Sequence, residues 1–156
     1  METKRTIIVN VLNEHGVLSR ISGLFAGRGY NIESLTVAPL LDGNLSRISI
    51  VTKGDERVLE QILKQLHKLI PVLKVSEEEQ ISELESLLVK FNNGENMADL
   101  NAIFGAYNGK ILEINDKNMI FMACDTPSRI ESLLKAIKAY KPKDITRSGT
   151  LAIETN

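Results

Sequence analysis

The chain has 156 residues, 43% hydrophobic and 25% charged, with a formal net charge of −1. That is enough apolar material for one ordinary domain or two small ones, and it excludes a disordered chain. The balanced charge gives no general reason to expect nucleic acid as a partner, no run approaches the ~18 apolar residues of a membrane span, and a single Cys124 excludes an internal disulfide. The lone thiol fits a reducing compartment, and the apolar run near the start is too short for a signal segment, so a soluble, cytoplasmic chain is expected.

In chain order, Thr6–Leu12 alternates with Ile7, Val9 and Val11 on one side, which predicts a strand. The loop Asn13–Glu14–His15–Gly16 leads into Val17, Leu18, Ile21, Leu24 and Phe25, which fall on one helical face. Gly29 stands where a helix C′ residue belongs. Gly23 and Gly27 lie inside the helix, where glycine costs about 1 kcal/mol against alanine, so something is expected to approach that helix closely. Asn31–Ala38 predicts a second strand, PLLDGN from Pro39 to Asn44 a turn, and Ser46–Thr52 a third strand. Asp55 is a natural N-cap for a helix carrying Val58, Leu59, Ile62, Leu63, Leu66 and Leu69. Pro71 ends that helix and Val72–Val75 is a fourth strand.

The run SEEEQISELE from Ser76 to Glu85 is either a charged docking segment or, as is commoner for short charge runs, a solvated linker. Beyond it the order of elements repeats. Ser86–Phe91 predicts a strand, and Met97, Leu100, Ile103, Phe104 and Tyr107 mark a helix face. Lys110–Ile114 and Met119–Cys124 are strands around an Asn115–Asn118 turn. Thr126–Pro127 opens a helix with Ile130, Leu133, Leu134 and Ile137, which Pro142 stops before one closing strand, Ile145–Ile153. The predicted fold is α+β, two successive βαββαβ ferredoxin-like units with helices on one face of each antiparallel sheet. The predicted division is 1–76, an acidic linker 77–83, and 84–156. Each sheet is left with open edges and a bare second face, which pairing with a second copy would cover.

No catalytic constellation is evident. His15 and His67 lack metal-ligand spacing, Cys124 has no nucleophile signature, and the familiar hydrolase, phosphate-loop and zinc motifs are missing. Catalytic residues and metal ligands are therefore expected to be none. A binding site is better supported. Backbone N–H groups at Gly16, Val17 and Leu18 open a helix and suit a carboxylate. Asn13 offers an oxygen for an ammonium or an amide donor for the carboxylate, and Asn31 follows Gly29 closely. Spacing alone also fits plain turn glycines at Gly16 and Gly29, with Asn13 as a turn former.

The segment Gly23–Ala38, GLFAGRGYNIESLTVA, resembles the ACT domain of acetohydroxyacid (acetolactate) synthase regulatory small subunits. The later GDERVLEQILKQLHKLIPVLKV and the RSG at Arg147–Gly149 are similar to the same family, in its order. The resemblance implies a non-catalytic subunit that raises the activity of a large catalytic subunit and confers feedback inhibition by a branched-chain amino acid, most often valine. It places effector binding on Asn13, Gly16 and Asn31, with Asn31 reaching the ligand from the neighbouring chain of an ACT-domain homodimer. It implies no cofactor on this chain, with thiamine diphosphate, magnesium and FAD on the catalytic partner. The second-half loop NNGEN lacks the G-x-L opening of Gly16–Leu18, so one site per chain is expected. His15 is not a residue that the family pattern requires. The alternative is a stand-alone ACT-type amino-acid sensor controlling transcription. That would need a helix-turn-helix or a basic surface, and neither is apparent in a chain filled by two βαββαβ units.

Overall fold

Alternation in β1 (Thr3–Leu12) puts Ile7, Val9 and Val11 on one face of a sheet, where two amphipathic helices cover them. The computed structural model describes residues 3–77 and 80–156. Its contacts divide the chain into two units, Met1–Ser82 with Gly149–Asn156, and Glu83–Ser148.

In the first unit β1 is followed by α1 (Val17–Ala26), β2 (Asn31–Pro39), β3 (Leu45–Gly54), α2 (Glu56–Lys68) and β4 (Val72–Ser76). The antiparallel sheet has the order β2-β3-β1-β4, so β2 and β4 are its edges. Ile21 and Phe25 of α1 and Leu59, Ile62 and Leu66 of α2 pack on Ile7, Val9, Ile48 and Ile50. Asp55 caps α2 as expected, its carboxylate accepting from the Arg57 N–H at 2.8 Å. Helix α1 closes with a six-residue loop of hydrogen bonds. Tyr30 N–H donates to Phe25 O at 2.9 Å and Gly29 N–H to Ala26 O at 3.1 Å, with Gly29 at φ 68°.

The second unit contains β5 (Ile81–Asn92, which begins in the first), α3 (Met97–Gly105), β6 (Lys110–Ile114), β7 (Asn118–Asp125), α4 (Pro127–Ile137) and β8 (Asp144–Arg147). Its antiparallel order is β6-β7-β5-β8. Phe91, Phe104 and Phe121 fill its core, Phe91 meeting the other two rings edge-on at 6.2 and 5.8 Å. The architecture is the expected pair of βαββαβ units.

Four details differ from expectation. The closing strand Ile145–Ile153 is two strands, β8 and β9 (Leu151–Glu154), because the chain leaves the ladder at Ser148–Thr150. The first sheet's second face is not bare. Gly149–Asn156 returns to it, and Ile8 and Val51, which alternate away from the helices, are only 4% and 2% exposed. The charge run is not wholly a solvated linker, since β5 starts at Ile81 and Glu85 is 5% exposed; residues 78 and 79 of the expected linker lie outside the described residues. Glu85 accepts a hydrogen bond from Arg147 Nε at 2.6 Å, and Arg147 Nη1 donates to Glu131 at 2.8 Å. Finally, among the described residues nothing beyond its own helix comes within 4 Å of where a Gly23 Cβ would stand, and Gly27 meets Gly23 O of its own helix, at 3.2 Å. The chain itself does not explain those two glycines. Among the described residues no helix is long and apolar enough to cross a membrane.

Candidate effector site

At one end of the first sheet, β1 runs out at Leu12 and the chain turns into α1. Gly16 makes that turn at φ 81°, ψ −4°, a left-handed conformation in which any side chain is strained. It stands at the N-cap position but has no side chain to cap with, and no acidic residue lies in the first turn of α1. The leading N–H groups of a helix have no intrahelical partners, so those of Val17 and Leu18 remain donors at the positive end of the helix dipole. The Val17 side chain is buried in the core, which fixes the turn, whereas Leu18 is 42% exposed and offers apolar surface beside the donors. Apart from its chain neighbours, none of the described residues lies within 4 Å of the Gly16 Cβ position, so the approach is open.

Asn13 is held beside this turn by the β2–β3 hairpin. Its backbone N–H donates to Asn44 O at 2.7 Å and its Nδ2 to Gly43 O at 3.0 Å. One Nδ2–H is held by the hairpin, which leaves Oδ1 as an acceptor suited to an ammonium and the second Nδ2–H as a donor suited to a carboxylate. The hairpin tip is itself ordered by Asp42, whose Oδ1 accepts from the Asn44 N–H at 3.1 Å and its Nδ2 at 3.0 Å. The PLLDGN turn was legible as a turn, but its role as the anchor of Asn13 was not. Nothing local couples residue 13 to residues 43 and 44.

Asn31 is elsewhere. Leu12 pairs with Leu45, while Asn31 pairs with Lys53 at the other end of β3. From Leu45 to Lys53 is roughly 26 Å at about 3.3 Å per residue. One chain therefore brings together Asn13, Gly16, Val17 and Leu18 but not Asn31, whose side chain is exposed while its backbone O accepts from Thr52 Oγ1 at 2.9 Å. His15 is exposed.

The second unit has no counterpart of this turn. Helix α3 begins at Asn96, whose side chain accepts from the Asp99 N–H at 3.1 Å, and Asp99 adds an acidic group to the first turn. A donor is already satisfied there, and a carboxylate ligand would meet a like charge. Among the described residues no group of three or more His, Cys, Asp or Glu is placed to hold a metal ion.

Residues 7–74 match the family model of the acetohydroxyacid synthase small-subunit-like ACT domain, and residues 84–156 match that of the small subunit of acetolactate synthase. The chain is 42% identical over 154 residues to the acetolactate synthase isozyme 3 small subunit of Escherichia coli K12, covering 96% of this chain and 94% of the relative. It is 36% identical over 152 residues to a probable acetolactate synthase small subunit of Archaeoglobus fulgidus, covering 96% of each. The crystal structure of the acetolactate synthase small subunit of Thermotoga maritima superposes with a TM-score of 0.87 at 30% identity, covering 99% of this chain and 98% of that one. Two family models that together take in nearly the whole chain, and full-length relatives well above 30% identity, lead to one conclusion: this chain belongs to the acetolactate synthase small-subunit family.

Proposed function

We propose that this chain is the non-catalytic regulatory subunit of an acetolactate synthase, raising the activity of a large catalytic subunit and lowering it again when valine binds at the junction of two copies. The observation that carries the effector site is the uncapped start of α1 at Gly16, with Asn13 Oδ1 beside it and open space in front. A free amino acid needs an anion site, an ammonium acceptor and room for its side chain. The Val17 and Leu18 N–H groups, Asn13 and the exposed part of Leu18 supply these in turn.

Geometry supports a second chain in the site. Edge strand β2 lies free of pairing on its outer side. Two copies that join through β2 about a two-fold axis, with all helices on one side, must run antiparallel there. That arrangement carries the partner chain's β2 start, and so its Asn31, toward the Asn13 end of the first chain. The exposed Gly23 on α1 then has a purpose, since a neighbouring helix can come close to it. Thiamine diphosphate, magnesium and FAD belong in this scheme to the catalytic subunit. Thermodynamically, valine must bind more tightly to the less active arrangement of the complex.

The test is acetolactate formation by the catalytic subunit alone, with this chain added, and with valine titrated into the mixture. Stimulation followed by saturable inhibition is expected. A catalytic subunit indifferent to the chain would overturn the regulatory role, and stimulation without any valine response would overturn the effector.

A further inference from the structure

Gly149 lies against β2 more tightly than any side chain permits. A Cβ built on it would stand 2.1 Å from Thr36 Oγ1 and 2.8 Å from Leu35 O, distances that real Cβ atoms do not show. Thr36 Oγ1 is buried and has no hydrogen-bond partner among the described residues. From there the segment crosses the helix-free face of the first sheet. Thr150 is 4% exposed and its N–H donates to Ser34 Oγ at 3.4 Å, Ala152 faces inward, and Thr155 N–H donates to Gln80 O at 3.0 Å. At the far end Lys74 Nζ pairs with Glu154 at 2.7 Å beside a cavity of about 140 Å³ lined by Ile8, Asn10 and Arg47. The packing is thus closest over β2 and looser over β1 and β4.

Strand β2 is an edge, held along only one side by β3, and its register shifts between Ile32 and Ser34. Such a strand is less constrained than the central β1 and β3, and it begins at Asn31. We propose that Gly149–Glu154 is a brace on β2 and that Gly149 is a positioning residue for the effector site, because its missing side chain lets the brace seat on Leu35–Thr36 and fix the strand that presents Asn31. The proposal rests on the effector site described above, and it gives a residue remote in sequence from that site a share in setting valine sensitivity.

The test is Gly149→Ala in the full chain, reconstituted with the catalytic subunit and titrated with valine. The added methyl lifts the brace from β2, so the half-inhibitory valine concentration rises at least about threefold while maximal stimulation stays at the wild-type level. Adding Thr36→Ala to Gly149→Ala removes the shortest of the methyl's contacts, leaving that with Leu35 O, and brings the midpoint partway back toward wild type, which general destabilisation would not do. Should Gly149→Ala not fold, Thr36→Ala alone loosens the same seat without a clash, and it too is expected to raise the midpoint. A wild-type midpoint in a folded Gly149→Ala chain, or in Thr36→Ala where only that variant folds, overturns the brace. Gly16→Asp run in parallel separates the two ideas. If it abolishes the valine response while the brace variants respond normally, only the brace is wrong; if it too leaves the response intact, the effector site is wrong.

Discussion

Gly16→Asp is expected to abolish the valine response while sparing association with the catalytic subunit. The residue sits at φ 81° with none of the described residues beyond its chain neighbours within 4 Å of its Cβ position, so the Cβ meets no obstacle and the main cost is backbone strain, about 1–2 kcal/mol. Against a domain stability of about 5–15 kcal/mol the fold survives. At the site the loss is larger. A hydrogen bond to a charged group is worth about 1.5–3 kcal/mol, and the new carboxylate, standing at the N-cap, competes for the Leu18 N–H that the ligand needs. Two carboxylates roughly 5 Å apart repel by about 1–3 kcal/mol at effective dielectrics between water and a protein surface. Together these weaken valine by about 2.5–6 kcal/mol, or roughly seventyfold or more in affinity. The assay is acetolactate formation against valine concentration, with circular dichroism and co-elution with the catalytic subunit as controls. A variant that folds, binds and stimulates, yet is half-inhibited within about threefold of the wild-type valine concentration, would refute the placement of the carboxylate at α1.

Other expectations follow from groups away from the site. Arg147→Met leaves Glu85 buried without its counter-charge and should lower unfolding stability by about 1–3 kcal/mol in urea, whereas Glu131→Gln, which removes only the exposed partner, should cost under about 1 kcal/mol. Equal effects would mean that Glu85 is not held as described. Asp125 is 7% exposed, and the hydrogen bond from Arg129 Nε at 2.6 Å, helped by the Thr126 N–H and Asn108, holds its carboxyl below the ordinary value against the opposing pull of burial. A depressed folded pKa contributes stability that is present above the unfolded value of about 3.9 and lost as pH falls through the folded one. The urea midpoint should therefore drop below about pH 4, and Asp125→Asn should flatten that part of the profile; an unchanged acid limb in the variant would contradict it.

Much of the fold was legible because its signals are local. The left-handed turns at Gly16 and Gly29, the Asp55 cap and the alternation in β1 each follow from a few neighbouring residues. What escaped depends on distant pairing. Glu85 looked like one more solvated carboxylate of a charge run, and only Arg147, far along the chain, makes it a buried group. The break between β8 and β9 was hidden inside an alternating stretch, because Ser148–Thr150 leaves the ladder so that Gly149 can reach Thr36, a contact that no periodicity encodes. The same return brings Ile153 beside Ile8, so a chain cut after Ser76 would expose an apolar residue that the βαββαβ pattern alone counts as part of a free face. At the candidate effector site the glycine turn was readable, whereas the hydrogen bond from the Asn13 amide depends on the hairpin that accepts it.

The central claim is that one effector site is made by two chains, and a mixing experiment tests it directly. Gly16→Asp and Asn31→Ala each damage both sites of a homodimer, the second more mildly, since it removes one polar contact and leaves the Thr52–Asn31 backbone hydrogen bond in place. In a heterodimer of the two variants one site carries both substitutions and the other carries neither. Calorimetry on the co-refolded mixture should recover wild-type valine affinity at about half of the sites in heterodimers, and neither variant alone should show it. If mixing restores no wild-type site although heterodimers form, Asn31 and Gly16 do not meet across two chains and the account fails.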